Sequence, residues 1–151
     1  MALRVGDQAP AFDASDGDGT LWRSDALAGR AFVLYFYPRD ETPGCIVEAC
    51  AYRDEYAAFE AIGVLVLGVS RDDEASHRAF AQNRRLPFPL LCDPDGVMHD
   101  AYGATMLGGL PRRVSYLVDE AGRVAAVFDS HLRPGAHAEK MLDAARALRH
   151  A

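Results

Sequence analysis

The sequence predicts an α/β fold, a central mixed β-sheet flanked by helices with a small β-hairpin at its N-terminal end, and three observations carry that expectation. Two β-rich apolar runs without alternation, Ala31 to Tyr37 and Val64 to Val69, have the pattern of strands covered on both faces. Each is followed by a stretch of helical periodicity, which makes a β–α–β–α unit. Two further apolar runs, Val114 to Val118 and Val124 to Phe128, flank the turn Glu120-Ala121-Gly122 and read as an antiparallel hairpin ahead of a closing helix. With 151 residues, half of them apolar, the chain has the size of one domain, residues 1–151, with a real core.

The elements follow in order. Short apolar stretches between Asp7 and Trp22 surround Asp16-Gly17-Asp18-Gly19 and predict the N-terminal hairpin. That acidic turn lacks the further oxygen ligands and the Glu of an EF-hand, so a plain turn is the expectation. Ser24 or Asp25 is placed to cap a short turn through Leu27, which Gly29 ends. After the first buried strand, Ala49, Tyr52, Tyr56, Phe59 and Ile62 recur at three- and four-residue steps. They predict one long helix from Pro43 to about Ile62, stopped by Gly63. After the second strand, Ser70 to Asp73 supplies the cap of a helix from Glu74 to Arg84. Pro87 to Leu91 reads as a short third strand, Asp95-Gly96 as a turn and Val97 to Tyr102 as a short helical piece. A last helix, Gly135 to Leu148, offers Met141, Leu142, Ala145 and Leu148 to the sheet. This order of elements is thioredoxin-like.

Charge and cysteine usage exclude several classes of function. The net charge is −6, and Arg rather than Lys supplies nearly all of the positive charge. No basic cluster or aromatic-interleaved stripe suits phosphates, so nucleic acid is not expected as a partner. The N-terminus has no apolar leader region, and no apolar run approaches the roughly 20 residues of a membrane span. A cytoplasmic protein with no membrane partner is the expectation. Three cysteines form no even disulfide framework, which leaves reactivity or burial to explain them. The spacing Cys45-x4-Cys50 is not the Cys-x2-Cys of a zinc knuckle or a thioredoxin-type reductase, and no nearby His completes a tetrahedral site. His77, His99, His131, His137 and His150 are scattered and read as surface or packing residues. Gly108-Gly109 is no dinucleotide fingerprint. Neither a metal nor an organic cofactor is implied.

The stretch that carries chemistry runs from Pro38 to Cys50. Cys45 stands where the loop after a buried strand becomes a helix, and Pro43 fits just ahead of that helix. Unpaired backbone N–H groups and the positive end of the helix dipole favour a thiolate there. A second thiol, Cys50, comes five residues on. Cys92, following Leu90-Leu91, reads as a small buried hydrophobe.

The string Tyr37-Pro38-Arg39-Asp40-Glu41-Thr42-Pro43-Gly44-Cys45, with Glu48, Ala49 and Cys50 following and Arg53-Asp54 after a gap, closely resembles the peroxiredoxins. Within them it is most similar to the bacterioferritin comigratory protein, or PrxQ, subfamily. The likeness extends over nearly all of the chain, through Phe88 to Gly96, Ala101 to Gly103 and Arg113 to Asp119. Ile46 stands where many relatives have Thr, and Cys92 where a small polar residue is common. The resemblance implies a thioredoxin-like fold and thiol-dependent reduction of hydroperoxides. It implies that Cys45 attacks the peroxide and that Thr42 bonds thiolate and peroxide. It implies further that Arg113 stabilises the charge that develops, Pro38 shields the site and Cys50 resolves the sulfenic acid within the chain. Glu48 would orient an arginine, and Arg112, adjacent to Arg113, is the competing assignment. Thioredoxin or a similar dithiol protein would supply electrons. Two alternatives stand beside this reading: a one-cysteine peroxidase resolved by an external thiol, and a redox-sensing or holdase module. The absence of a cysteine-bearing tail leans towards a monomer. In an intact helix, residues five apart have Cα atoms roughly 8.6 Å apart, whereas a disulfide needs them within about 7 Å. A bond between Cys45 and Cys50 therefore requires the first turns of the helix to unwind.

Overall fold

The computed structural model describes residues 2–150. A five-stranded mixed sheet has the order β5-β4-β3-β6-β7. Its strands are β3 (Phe32–Phe36), β4 (Leu65–Ser70), β5 (Leu90–Cys92), β6 (Val114–Val118) and β7 (Val124–Asp129). Strand β3 pairs in parallel with β4 and antiparallel with β6, which places it at the centre. The N-terminal hairpin is present as β1 (Asp13–Ser15) paired with β2 (Leu21–Arg23). Asp16 organises its turn, accepting hydrogen bonds from the N–H of Asp18 and Thr20 and from the Trp22 indole.

The absence of alternation in β3 has its cause in two cores. Val33, Tyr35 and Tyr37 point to the face covered by α1 (Pro43–Asp54), α2 (Tyr56–Ala61) and α5 (Ala136–Arg149). Phe32, Leu34 and Phe36 point to the other face, against Phe12, Met98 and Tyr102. Every residue of β3 is buried. Tyr35 stacks on Tyr52 of α1 with ring centroids 4.4 Å apart. A Cβ at Gly68 of β4 would come within 2.9 Å of the Tyr35 ring, so this neighbouring position has to be glycine for the tyrosine to lie flat on the strand.

Several boundaries differ from the expectations. The helix expected to run from Pro43 to Ile62 divides at Glu55, whose φ of −99° and ψ of 2° interrupt it. The apolar face continues across the break, with Tyr52 and Phe59 both fully buried and their rings 6.1 Å apart. Periodicity reports the face, not the backbone beneath it. The third strand starts at Leu90 rather than Pro87, because prolines at 87 and 89 have no N–H for the ladder. Ser24 does not cap the following 3-10 turn; its hydroxyl accepts from the Phe12 N–H. Asp73 does cap α3 (Glu74–Arg84), accepting from the Ser76 N–H at 2.9 Å. The short α4 (Val97–Ala101) and α5 lie where the sequence puts them; Met141, Leu142 and Ala145 are buried and Leu148 partly so.

A buried polar cluster ties the loop after β3 to the β4–α3 connection. The Asp40 carboxylate accepts from the Tyr37 hydroxyl at 2.6 Å and the Ser76 hydroxyl at 2.8 Å. The Asp40 N–H donates to Asp72, which also accepts from Ser70. His77 is fully buried, with Nδ1 2.7 Å from Asp40 and Nε2 2.8 Å from the Leu91 carbonyl. Both ring nitrogens face acceptors, so both carry hydrogen and the ring is an imidazolium. Burial opposes that charge, but the Asp40 hydrogen bond and charge, the Leu91 carbonyl and Asp72 outweigh it and hold the His77 pKa above its ordinary value.

A histidine whose folded pKa is raised contributes stability that is complete below about pH 6.5 and disappears as pH rises through the folded value. His77→Ala is therefore expected to destabilise the protein by about 3–5 kcal/mol at pH 6, where a buried ion pair is broken. The gap from wild type in thermal or urea unfolding should narrow steadily towards pH 9.

Candidate active site

Helix α1 begins with Pro43 at its first position and Thr42 as N-cap, at φ −85° and ψ 150°. The first helical hydrogen bond runs from the Ile46 N–H to the Thr42 carbonyl. The N–H groups of Gly44 and Cys45 precede it and are open to an anion. Cys45 is thus in the first turn of a 12-residue helix, with only 1% of its surface exposed. The loop leading into it is constrained on both sides. Asp40 is held as described above, and Glu41 takes the left-handed conformation, φ 60°. Asn83 and Arg84 at the end of α3 bind the Glu41 carboxylate.

Strand β6 delivers the cation. Pairing of Val114 with Phe36 places the preceding residue, Arg113, beside the end of β3, where the loop to α1 departs. Its Nη1 lies 3.5 Å from the Cys45 Sγ and donates to Glu48 Oε1 at 2.7 Å. A Cβ on Gly44 would lie 2.9 Å from the other guanidinium nitrogen. The glycine before Cys45 therefore leaves the space that the arginine fills. Arg112 points elsewhere, to Asp129 at 2.7 Å.

Glu48 lies three residues beyond Cys45 on the same helix and is wholly buried. Burial pushes its carboxyl up to about 8, against the lowering charge and hydrogen bond of Arg113. Burial also opposes the charge of Arg113, but Glu48 first and then Cys45 raise its pKa and keep it a cation. Behind Glu48 stands His137 of α5, also fully buried. Its Nδ1 is 2.9 Å from the Ser115 hydroxyl and 3.3 Å from Glu48 Oε2, and its Nε2 is 2.8 Å from the Ser130 carbonyl. The Tyr52 hydroxyl donates to Ser115 at 2.7 Å. Among the described residues Glu48 Oε2 has no hydrogen-bond partner; the His137 contact lies at the outer edge of that range. Burial pushes His137 down to about 4.

The residues singled out in the sequence are not all placed alike. Cys45 and Arg113 come together, with Glu48 beside them. The Thr42 hydroxyl donates to the Arg39 carbonyl at 2.8 Å rather than to Cys45, which leaves its lone pairs for a donor outside the chain. Pro38 is half-buried directly after Tyr37. Cys50 is half-buried in the unbroken α1, the helix that also carries Cys45. Cys92 is half-buried rather than buried, and burial together with Glu74, Asp40, Asp16 and Asp73 pushes its thiol up to about 12. His77, His99 and His137, read from the sequence as surface or packing residues, are buried inside polar networks. For His77 and His137 only the approach of residues distant in sequence reveals this, whereas His99 binds Asp93 six positions away; an isolated His carries no signal of its burial.

Residues 5–127 match the model of the AhpC/TSA family. The chloroplastic peroxiredoxin Q of Populus jackii is 39% identical over 148 residues, 97% of this chain and 70% of that protein. The chain spans between 62% and 78% of the length of such chloroplastic relatives. Peroxidoxin BcpB of Mycobacterium tuberculosis superposes with a TM-score of 0.89 at 34% identity, covering 97% of this chain and 98% of that one. The bacterioferritin comigratory protein of Xanthomonas campestris, described for its alkyl peroxide reduction activity, superposes with a TM-score of 0.84 at 30% identity, over 91% and 92% of the two chains. Its fold, its sequence and a cysteine paired with a buried arginine at a helix start agree: this chain belongs to the AhpC/TSA family, as a peroxiredoxin of the bacterioferritin comigratory protein and peroxiredoxin Q group, whose members are thiol-dependent peroxidases.

Proposed function

We propose that Cys45 is the peroxidatic cysteine and Cys50 the resolving one, in a peroxidase that acts on hydrogen peroxide and organic hydroperoxides and is recycled by thioredoxin or a similar dithiol protein. The observation that carries this reading is the Cys45 sulfur, in the first turn of α1 and within 3.5 Å of a buried guanidinium. A thiolate there has a counter-charge and open N–H groups beside it and almost no exposed surface. It attacks one peroxide oxygen; the S–O bond forms as the O–O bond breaks, and the departing oxygen takes a proton and leaves as water or alcohol. Arg113 stabilises the charge on that oxygen. Thr42 accepts from the peroxide proton and Pro38 limits the entry of water. The Cys50 thiolate then displaces hydroxide, which leaves as water, and a dithiol reduces the resulting disulfide. The alkyl peroxide activity named for the Xanthomonas campestris relative supports organic hydroperoxides as a substrate class. A monomer working in the cytoplasm completes the proposal.

The break at Glu55 bears on how the two thiols meet. Cys45 and Cys50 share α1, in which a disulfide cannot close. Because α1 ends at Asp54, its turns can unwind while α2, anchored by the fully buried Phe59, stays in place. Unwinding would break the hydrogen bonds of Arg113 to Cys45 and Glu48, of Tyr52 to Ser115 and of Arg53 to the Arg84 carbonyl, and would draw the buried Tyr52 ring off Tyr35.

Peroxide consumption with thioredoxin and its reductase supplied tests the assignment. Cys45→Ser should be inactive, and Cys50→Ser should lose thioredoxin-supported turnover and over-oxidise at high peroxide. Continued turnover by Cys45→Ser would remove the reading altogether.

Arg113→Ala should slow Cys45 oxidation in stopped flow by about 10²–10³, the loss of about 2.7–4 kcal/mol that follows removal of an electrostatic donor. Arg112→Ala should leave that rate within a few-fold of wild type, since its partner is Asp129. A larger loss at Arg112 would reverse the two roles.

Peptide mapping of the oxidised protein should give a Cys45–Cys50 link. Hydrogen exchange should then lose protection across residues 43–54 and keep it across residues 56–61. A link from Cys45 to Cys92, or an oxidised protein with α1 fully protected, would show that resolution follows another route.

A further inference from the structure

We infer that His137 is a positioning residue: it shares a single proton with Glu48, so that the two form a neutral pair and leave the charge of Arg113 to the Cys45 thiolate. The inference rests on the reading of Cys45 as the reacting thiol. Its starting point is a charge imbalance. One guanidinium nitrogen faces both Cys45 Sγ, at 3.5 Å, and Glu48 Oε1, at 2.7 Å. If thiolate and carboxylate were both bare, a buried site would hold two anions against one cation. The carboxylate, being closer, would take most of the compensation.

The far side of Glu48 resolves the imbalance. His137 Nε2 faces the Ser130 carbonyl at 2.8 Å, and a carbonyl only accepts, so Nε2 carries a hydrogen. In a neutral ring the Nδ1 lone pair then faces both the Ser115 hydroxyl, at 2.9 Å, and Glu48 Oε2, at 3.3 Å. Ser115 can donate to Nδ1, but it leaves Glu48 Oε2, buried and without a hydrogen-bond partner among the described residues, with no donor unless a proton lies on one of the two groups. If it sits on Glu48, the carboxylic acid turns towards the imidazole; if it sits on Nδ1, a carboxylate faces an imidazolium. In either form the pair sums to zero. Burial, which raises Glu48 and lowers His137, favours the form with the proton on Glu48 at neutral pH. Ser115, oriented by the Tyr52 hydroxyl, fixes the ring through Nδ1, and Phe128 packs edge-on against it at 4.7 Å.

The other charged or titratable groups facing the pair do not supply that proton. Arg113 has none to give. Tyr35 and Tyr52 are held far above the usual phenol range by burial and then by Glu48, and stay neutral. Asp129, on the His137 side, is engaged by Arg112. Loss of the shared proton at alkaline pH therefore leaves a carboxylate that competes with Cys45 for Arg113. That competition should appear as a fall in rate on the alkaline side.

The test follows Cys45 oxidation by hydrogen peroxide in stopped flow, from pH 5.5 to 9.5, in wild type, His137→Asn, Glu48→Gln and the double variant. Dimedone trapping of the Cys45 sulfenic acid confirms in each case which thiol reacts. In wild type the rate constant should fall above about pH 8. In His137→Asn the side-chain amide would offer Glu48 a donor without a proton to share, favouring the carboxylate. The alkaline fall of that variant should start about one pH unit lower, a tenfold change in the proton equilibrium. Glu48→Gln, permanently neutral, should abolish the fall, and in the double variant it should cancel the shift caused by His137→Asn. A merely structural His137 would lower the rate at every pH without moving the profile, and Glu48→Gln would not rescue it; that result overturns the inference. So does an alkaline fall that survives in Glu48→Gln. Dimedone labelling at a cysteine other than Cys45 would instead refute the underlying assignment of the thiol.

Discussion

The buried guanidinium of Arg113 is the constraint on which the site depends. It is 4% exposed and 68 positions from the thiol in the chain, and an unpaired cation in that place would cost several kcal/mol. The fold meets the cost with two partners for the guanidinium on one helix, the Cys45 sulfur at 3.5 Å and the Glu48 carboxyl group at 2.7 Å, one turn beyond it. Helix α1 therefore carries both the Cys45 sulfur and a group that fixes the cation beside it. Gly44 leaves room for the guanidinium, and the antiparallel pairing of β6 with β3 sets where it enters. Each of these is a backbone-level condition, and together they leave Arg113 little freedom.

The surroundings divide into a loop and a helix that are tied down differently. The loop from Pro38 to Thr42 is tied to the β4–α3 connection by Asp40, Asp72 and the buried His77, and to the end of α3 through Glu41. Helix α1 is tied through Glu48, Tyr52 and Arg53, and Glu55 separates it from α2. The break suits the proposed two-cysteine mechanism, in which the site holds its geometry while the peroxide reacts and α1 is then released so that Cys50 can reach Cys45. The polar contacts of α1 that end on Arg113 and Ser115 would be lost in that release, so the charge arrangement and the local stability of the helix are coupled.

Much of the fold was legible because its signals are local. The runs Ala31–Tyr37 and Val64–Val69 announced strands buried on both faces, and Asp73 announced the cap of α3. The boundaries that differed, at Glu55 and between Pro87 and Leu90, did so where one backbone angle or a missing N–H decided the matter. Hydrophobic periodicity is insensitive to both. At the site, the Thr-Pro-Gly-Cys sequence carries its own chemistry, since a thiol in the first helical turn needs nothing from the rest of the chain to lie beside open N–H groups. Family resemblance, not physics, singled out Arg113 from Arg112, and strand register explains the difference: side chains alternate, so adjacent arginines at a strand entrance reach opposite places.

The sequence alone determined the elements, their order, and a helix-start cysteine with a second thiol five residues on, because propensity, turn residues and spacing are properties of neighbouring positions. Only the tertiary structure decided that Glu48 is buried against Arg113, that His137 stands behind it, and that Cys92 is half-buried, its thiol held neutral by burial and by carboxylates from distant parts of the chain. These partners lie tens of residues apart, and whether a histidine or glutamate is solvated or enclosed depends on which strands pair and in what register. Burial and charge pairing, which set the proton positions in this site, exist only once the chain has folded.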